Sequence, residues 1–190
     1  MPNIKFNLIV STCENNGMGI NGDLPWRIPS ETEYYLQITT ECKEQSKKNA
    51  IILGRKSWEA TPWKPHPNCI NLILTRSDDL DLSGYPDTYT CKSLADAVQK
   101  LEEDEDLKKR VGDVWITGGS TVYKDALNSK HFYRLYHTRI FHPYECDTYF
   151  PTIPQHVKRV EDPRIPQGIK EDAGHKYLIS VYENLNFNKE

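Results

Sequence analysis

An α/β fold with a central, mostly parallel sheet is what this chain predicts, on three observations. Short apolar runs alternate with helical stretches as far as Leu127, the pattern of successive strand–helix units. Several of those runs end directly on glycine and pass into a helix start, as at Gly54 and at Gly118-Gly119. Beyond Leu127 the pattern changes. Tyr133 to Ile140 and Lys176 to Glu183 alternate apolar and polar residues, with Pro143 and Gly174 nearby, which predicts antiparallel pairing at the carboxyl-terminal end.

The first strand spans Phe6 to Cys13, a short apolar run with β-branched residues. It is followed by Gly17 to Glu31, which holds three glycines, two prolines, a tryptophan and a carboxylate. Gly17 to Gly22 matches G-x-G-x-x-G, but the dinucleotide fingerprint needs its glycines to turn straight into a helix. Asp23, Pro25 and Pro29 intervene here, so the match is rejected. The stretch reads instead as a flexible glycine lid ending in a Trp26 anchor.

Ser30 with Glu33 three residues on predicts a capping box and a helix running to about Lys43. On that helix Glu31 and Tyr35 lie four apart and share a face with Tyr34 and Ile38. Asn49 to Leu53 is a buried strand that runs into Gly54-Arg55-Lys56-Ser57-Trp58-Glu59. Cations in a first helical turn oppose the helix dipole, so either an anionic ligand bridges them or they are solvated surface charges. Pro62 to Pro67 is a rigid loop, Ile70 to Thr75 a buried strand ending at Arg76, and Thr88 to Cys91 a short strand ending at Lys92. Ser93 and Asp96 cap a helix from Leu94 that is expected to continue through Glu102–Asp106 to Arg110, with acid-first i,i+4 pairs on a solvated face. Val114 to Thr117 is a further strand, Gly118-Gly119 its break, and Ser120 to Leu127 the next helix. Paired glycines there either let a diphosphate approach the backbone or simply make a tight turn. Asn184 to Glu190 reads as a frayed tail.

Composition narrows the function classes. A net charge of −3 leaves no electrostatic footprint for nucleic acid. A mean hydropathy of −0.69 leaves no spanning helix, and Met1 to Lys5 lacks the apolar core of a signal peptide. The five scattered cysteines include no C-x-x-C, so they read as reduced thiols of a cytoplasmic protein. No metal signature is present; His137 and His142, the closest approach to one, read as structural. In parallel sheets ligands bind beyond the carboxyl ends of strands. The glycine lid, Arg55, Lys56, Arg76, Lys92 and Gly118-Gly119 all fall there, and four cations with two helix N-termini suit NADPH over NADH.

Asn-Gly-Asp-Leu-Pro-Trp at 21–26, Ile-Leu-Gly-Arg-Lys-Ser-Trp at 52–58 and Val-Trp-Ile-Thr-Gly-Gly-Ser-Thr-Val-Tyr at 114–123 resemble the dihydrofolate reductase family. Thr138-Arg139-Ile140 and Asp147-Thr148-Tyr149-Phe150-Pro151 continue the likeness in order. The resemblance implies one domain over residues 1–190 with helices on both faces of the sheet, hydride transfer from NADPH to 7,8-dihydrofolate, susceptibility to antifolates, and a monomer. It implies that Glu31 is the pteridine-pocket acid, at the bacterial spacing of five residues after Trp26. Thr32 stands at the animal position and cannot replace it, and Glu33 is the rival that the capping box removes. Glu31 would bind the pteridine amino group and ring N–H and promote protonation of N5. Thr138 would hydrogen-bond Glu31, and Trp26 would fix a nearby water. Ile9 and Thr117 would offer carbonyls to the amino group, with Val10, Thr32, Tyr35, Thr61 and position 69 along the substrate. The cofactor would take Ser11, the lid residues Gly17, Met18, Gly19, Ile20, Asn21, Gly22 and Asp23, then Gly54, Arg55, Lys56 and Ser57. It would also take Thr75, Arg76, Ser77, Lys92, and Gly118, Gly119, Ser120, Thr121, Val122 and Tyr123. Met18 would be the apolar tip of the lid.

Two departures stand out. Thr117 is polar where the family is aliphatic, and Cys69 stands where the family carries an arginine for the folate α-carboxylate, a role a thiol cannot fill. Lys64 or Arg27 would have to substitute, or affinity for the tail falls. A short-chain pterin reductase is the rival enzyme, but no tyrosine has lysine four residues on. A riboflavin-pathway reductase would lack Trp26 and Glu31, and a non-catalytic NADP(H)- or folate-binding module would bind without turnover.

Overall fold

The structure is a computed structural model that describes residues 4–189. Its core is a nine-stranded sheet in the order β10-β11-β7-β1-β6-β3-β4-β5, with β9 also paired to β11. In chain order the strands are β1 (Phe6–Thr12), β2 (Gly17–Gly19), β3 (Lys48–Gly54), β4 (Ile70–Leu74), β5 (Thr88–Cys91) and β6 (Val111–Gly118). They continue as β7 (Phe132–Ile140), β8 (Thr148–Tyr149), β9 (Val157–Val160), β10 (Lys170–Asp172) and β11 (His175–Asn184). The helices are α1 (Pro29–Thr40), α2 (Arg55–Ala60), α3 (Leu94–Glu103), α4 (Glu105–Arg110) and α5 (Ser120–Leu127).

The period-2 alternation of the strands decides which helix packs where. Leu8 and Val10 of β1, Ala50 and Ile52 of β3, and Val114 and Ile116 of β6 face α3, α4 and α5. Ile9, Ile51, Leu53 and Trp115 face the other way, against Ile38 of α1 and Trp58 of α2. Helices therefore cover both faces, as expected. The antiparallel expectation holds for β11, which runs against β7, β9 and β10. Strand β7 itself runs parallel to β1, Ser11 opposite Thr138, so the change of direction comes one strand later than the sequence suggested.

Three local expectations are corrected. The capping box does not form. Ile28, in extended conformation, is the N-cap of α1, the Ser30 hydroxyl meets Tyr177 Oη at 2.7 Å, and the Ser30 N–H donates to Asp172 Oδ2 at 2.8 Å. Glu33 is exposed. The helix after Leu94 breaks at Asp104, whose carboxylate accepts from the Asp106 and Leu107 N–H groups and so starts α4. Of the expected i,i+4 pairs only Asp106–Arg110 forms among the described residues; Glu105 pairs with Lys108, three residues on, instead. The carboxyl-terminal tail does not fray at Asn184, which is 8 % exposed and donates to the Phe132 carbonyl at 2.8 Å. Glu190 lies outside the described residues.

Candidate active site

Strand register brings the predicted site together. Ser11 is level with Thr138, Leu53 with Gly118, Gly54 with Leu74, and Leu74 with Cys91. One edge of the sheet thus gathers the carboxyl ends of six strands, β1, β3, β4, β5, β6 and β7.

Glu31 sits in the first turn of α1, where Pro29 starts the helix and Asp172 anchors its N-terminus. Only 9 % of it is exposed, and none of the ion pairs among the described residues involves it. Burial pushes its carboxyl up to about 7, while the hydrogen-bonding Thr138 hydroxyl pulls the other way. An acid so placed holds or yields a proton near neutral pH. Tyr35, one turn on, is likewise driven up by burial, with the Thr117 hydroxyl opposing. Trp26 is 2 % exposed, its ring 5.8 Å from that of Tyr144. Its indole N–H is buried without a protein partner, a donor that a polar ligand atom would satisfy. Val10 and Ile9 lie on opposite faces of β1, and the Ile9 carbonyl accepts from Tyr123 Oη at 2.6 Å. That carbonyl, expected to be free for a ligand, keeps one lone pair for it.

The lid differs from a loose loop. Gly17–Gly19 form β2 against Thr148–Tyr149 of β8. Asn21 and Gly22, both at positive φ (51° and 77°), make a two-residue turn in which Ile20 and Asp23 exchange backbone hydrogen bonds. The Asn-Gly pair signals such a hairpin, and the sequence reading missed it. Asp147 Oδ2 accepts from the Asn21 N–H at 2.9 Å, and Asp23 pairs with Arg27 at 2.6 Å. Met18 is therefore not the tip; it lies half-buried against the core.

On the far side, two helices open without a side-chain cap, α2 after Gly54 and α5 after Gly119. The first hydrogen bond of α5 runs from Tyr123 N–H to the Gly119 carbonyl, so the Ser120, Thr121 and Val122 N–H groups point out of the helix start. Gly118 has φ 141°, and a Cβ there would lie 3.1 Å from Ser57 Oγ; one on Gly119 would lie 3.3 Å from it. The backbones of the two openings thus lie close together, a cradle of free amides that fits a diphosphate. The cations are unequal. Arg55 pairs with Glu59 at 2.8 Å and with Asp79, and Lys92 with Asp78, so acids rather than a ligand account for both. Lys56 and Arg76 are exposed and make no ion pair among the described residues. Thr75 is buried and its hydroxyl accepts from the Ser77 N–H, while Ser77 Oγ donates to Asp79.

Some predicted residues are not brought in. Cys69 is 4 % exposed, its thiol turned to the Thr39 carbonyl at 3.6 Å, and burial pushes it up to about 12. Lys64 donates to the Glu59 carbonyl, and Arg27 to the Leu24 and Trp26 carbonyls as well as Asp23, so neither has moved in as its substitute. Thr61 closes α2, its hydroxyl on the Ser57 carbonyl. Thr32 lines an open groove of about 810 Å³ beside α1, with Leu36, Trp63 and Pro67. Leu36 and Trp63 carried no motif and escaped the sequence reading, as did Asp172, whose contact spans 142 residues.

An α/β sheet whose carboxyl edge joins one buried acid, a glycine-rich lid and a double helix-start cradle fits the class of reductases that use a nucleotide cofactor. The chain belongs to the dihydrofolate reductase family: the model of that family, described as dihydrofolate reductase, matches residues 5–184. It is similar to the dihydrofolate reductase of Aedes albopictus, 40% identical over 185 residues that cover 95% of this chain and 98% of that one. The enzyme of Sus scrofa is 40% identical over 185 residues, again 95% of this chain and 98% of the relative. Among solved structures, the Schistosoma mansoni dihydrofolate reductase superposes with a TM-score of 0.84 at 31% identity, covering 95% of this chain and 98% of that one.

Proposed function

We propose that Glu31 is the acid through which this chain reduces 7,8-dihydrofolate to tetrahydrofolate. One observation supports it above others: a lone carboxyl, 9 % exposed, whose burial pushes it up to about 7. The reaction is that of its family, and NADPH, when bound, supplies the hydride. Glu31 holds the pteridine by its amino group and ring N–H, a bidentate pairing that fixes the ring. Thr138 orients the carboxylate, and the Trp26 indole N–H holds a polar atom beside it. Near neutral pH Glu31 keeps a proton available, and this promotes protonation at N5. Tyr35, Val10, Ile9 and Thr117 form the walls.

The free amides at Ser120 to Val122, with Ser57, hold the diphosphate, and Arg76 with Lys56 reads the added phosphate that separates NADPH from NADH. The lid from Gly17 to Asp23 closes over the nicotinamide and excludes water. Thr32, Leu36 and Trp63 hold the folate tail in the groove without a guanidinium at Cys69, so its carboxylate is held weakly. Residues 1–190 act as one domain, a monomer, in the cytoplasm. Among the described residues no helix is long and apolar enough to cross a membrane.

The test is loss of NADPH absorbance with purified protein and dihydrofolate, with NADH in parallel. Rapid oxidation of NADPH and little of NADH supports the assignment. Tight NADPH binding without oxidation transfers the reading to a non-catalytic binding module.

A further inference from the structure

Two thiols that the reaction does not use meet at the base of the lid. Cys13 follows β1 and is 1 % exposed; Cys146 precedes β8 and is half-buried. Their sulfurs lie 3.7 Å apart although 133 residues separate them, the one sulfur–sulfur hydrogen-bond contact among the described residues. The backbone around them is fixed. Cys13 N–H donates to the Gly17 carbonyl at 3.0 Å, Glu14 N–H to His142 at 3.2 Å, and Asp147 N–H to Gly19 at 2.9 Å. Gly17 leaves the space they occupy: a Cβ there would come within 2.9 Å of Cys13 Sγ and closer still to Cys146 Sγ.

We propose that Cys13 and Cys146 form a dithiol–disulfide site, oxidised by small disulfides of the glutathione class, whose closure clamps the base of the lid. Cys146 is the more accessible sulfur and reacts first. Its thiolate attacks one sulfur of the oxidant, expelling one thiol and leaving a mixed disulfide. The Cys13 sulfur then attacks Cys146 Sγ and expels the second thiol. Two thiols lose two electrons and two protons, and one disulfide gains them as two thiols. The sulfurs must close to about 2 Å, a small movement for groups already in contact. The new bond ties the end of β1 to the segment leading into β8. Strand β2, paired with β8 between these anchors, then opens less readily, and turnover slows where lid opening limits it. This last consequence rests on the reductase reading; the bond itself does not.

Burial and the facing Cys13 sulfur push Cys146 up to about 11, with Asp147 also adjacent, so the experiment is run at pH 9 to raise the thiolate fraction. The full chain is incubated with oxidised glutathione, free thiols are alkylated, and peptides are mapped by mass. The expected product is a Cys13–Cys146 linked peptide lacking two hydrogens, lost again on dithiothreitol treatment. Dihydrofolate reduction by the wild type falls about threefold or more with the same time course, and Cys146→Ser does not slow. Glutathione retained on Cys146 with no linked peptide, or linkage of Cys42 to Cys69 instead, overturns the site. A linked peptide with unchanged turnover overturns the clamp. A linked peptide in a protein without reductase activity supports the site and breaks the reductase reading alone.

Discussion

The two flanks of the sheet's carboxyl edge handle charge in opposite ways. At Glu31 no ion pair among the described residues engages the carboxyl and burial shields it from solvent, so its protonation is set by exclusion. Around the cradle the protein supplies cations freely and then engages two of them, Arg55 and Lys92, with Asp79, Glu59 and Asp78 in solvent. Exposed pairs of that kind contribute little and are screened by salt. Chemistry is therefore concentrated in one buried group, whereas recognition is distributed over many weak ones.

The largest test of that contrast is Glu31→Gln. It lowers kcat with dihydrofolate by roughly 10²- to 10⁴-fold, and the wild-type rate falls as pH rises through about 7, a decline the variant lacks. A pH profile of both proteins checks this. The same substitution moves stability the other way. Glu31 holds its proton more tightly folded than unfolded, so the wild type is most stable below the ordinary glutamate value and loses stability as pH rises through about 7. Urea unfolding at pH 8 should find Glu31→Gln more stable by on the order of 2–3 kcal/mol, a difference absent at pH 4.

Smaller effects belong to the cradle and groove. Arg76→Ala removes an unengaged cation and narrows the preference for NADPH over NADH by about 10- to 100-fold, read from the two KM values. Cys69→Arg lowers KM for dihydrofolate about tenfold but leaves a substrate lacking the glutamate tail unaffected; equal gains for both would show that the groove, not the carboxylate, had changed. Asp78→Asn with Asp79→Asn frees Lys92 and leaves Arg55 held by Glu59 alone. It lowers KM for NADPH by about threefold at low salt, an effect that disappears near 1 M salt.

The glycine pair is announced locally, by a break between strand and helix, whereas the roles expected of Glu31 and Trp26 came from the family resemblance and not from local pattern. The central strands were legible through their apolar runs, while helices on both faces were implied by the family resemblance and are accommodated by the period-2 alternation of those strands. The start of α1 was misread because Ser30 and Glu33 form a valid local signature that Tyr177 and Asp172 override from the far end of the chain. The direction of β7 was missed because alternation reports half-burial and not which neighbour a strand meets. The engagement of Arg55 and Lys92 was equally hidden, since Asp78 and Asp79 reach them only after β4 has turned.

The carboxylate of Asp172, which anchors the helix carrying Glu31, lies in β10. In chain order the lid, the cradle and the parallel strands β1 and β3 to β7 all precede the residue that fixes the acid's helix. Contacts of such long sequence separation form late. A chain truncated before Lys170 keeps every parallel strand in its sequence but lacks the acceptor of the Ser30 N–H, so the start of the helix that carries Glu31 is left unanchored.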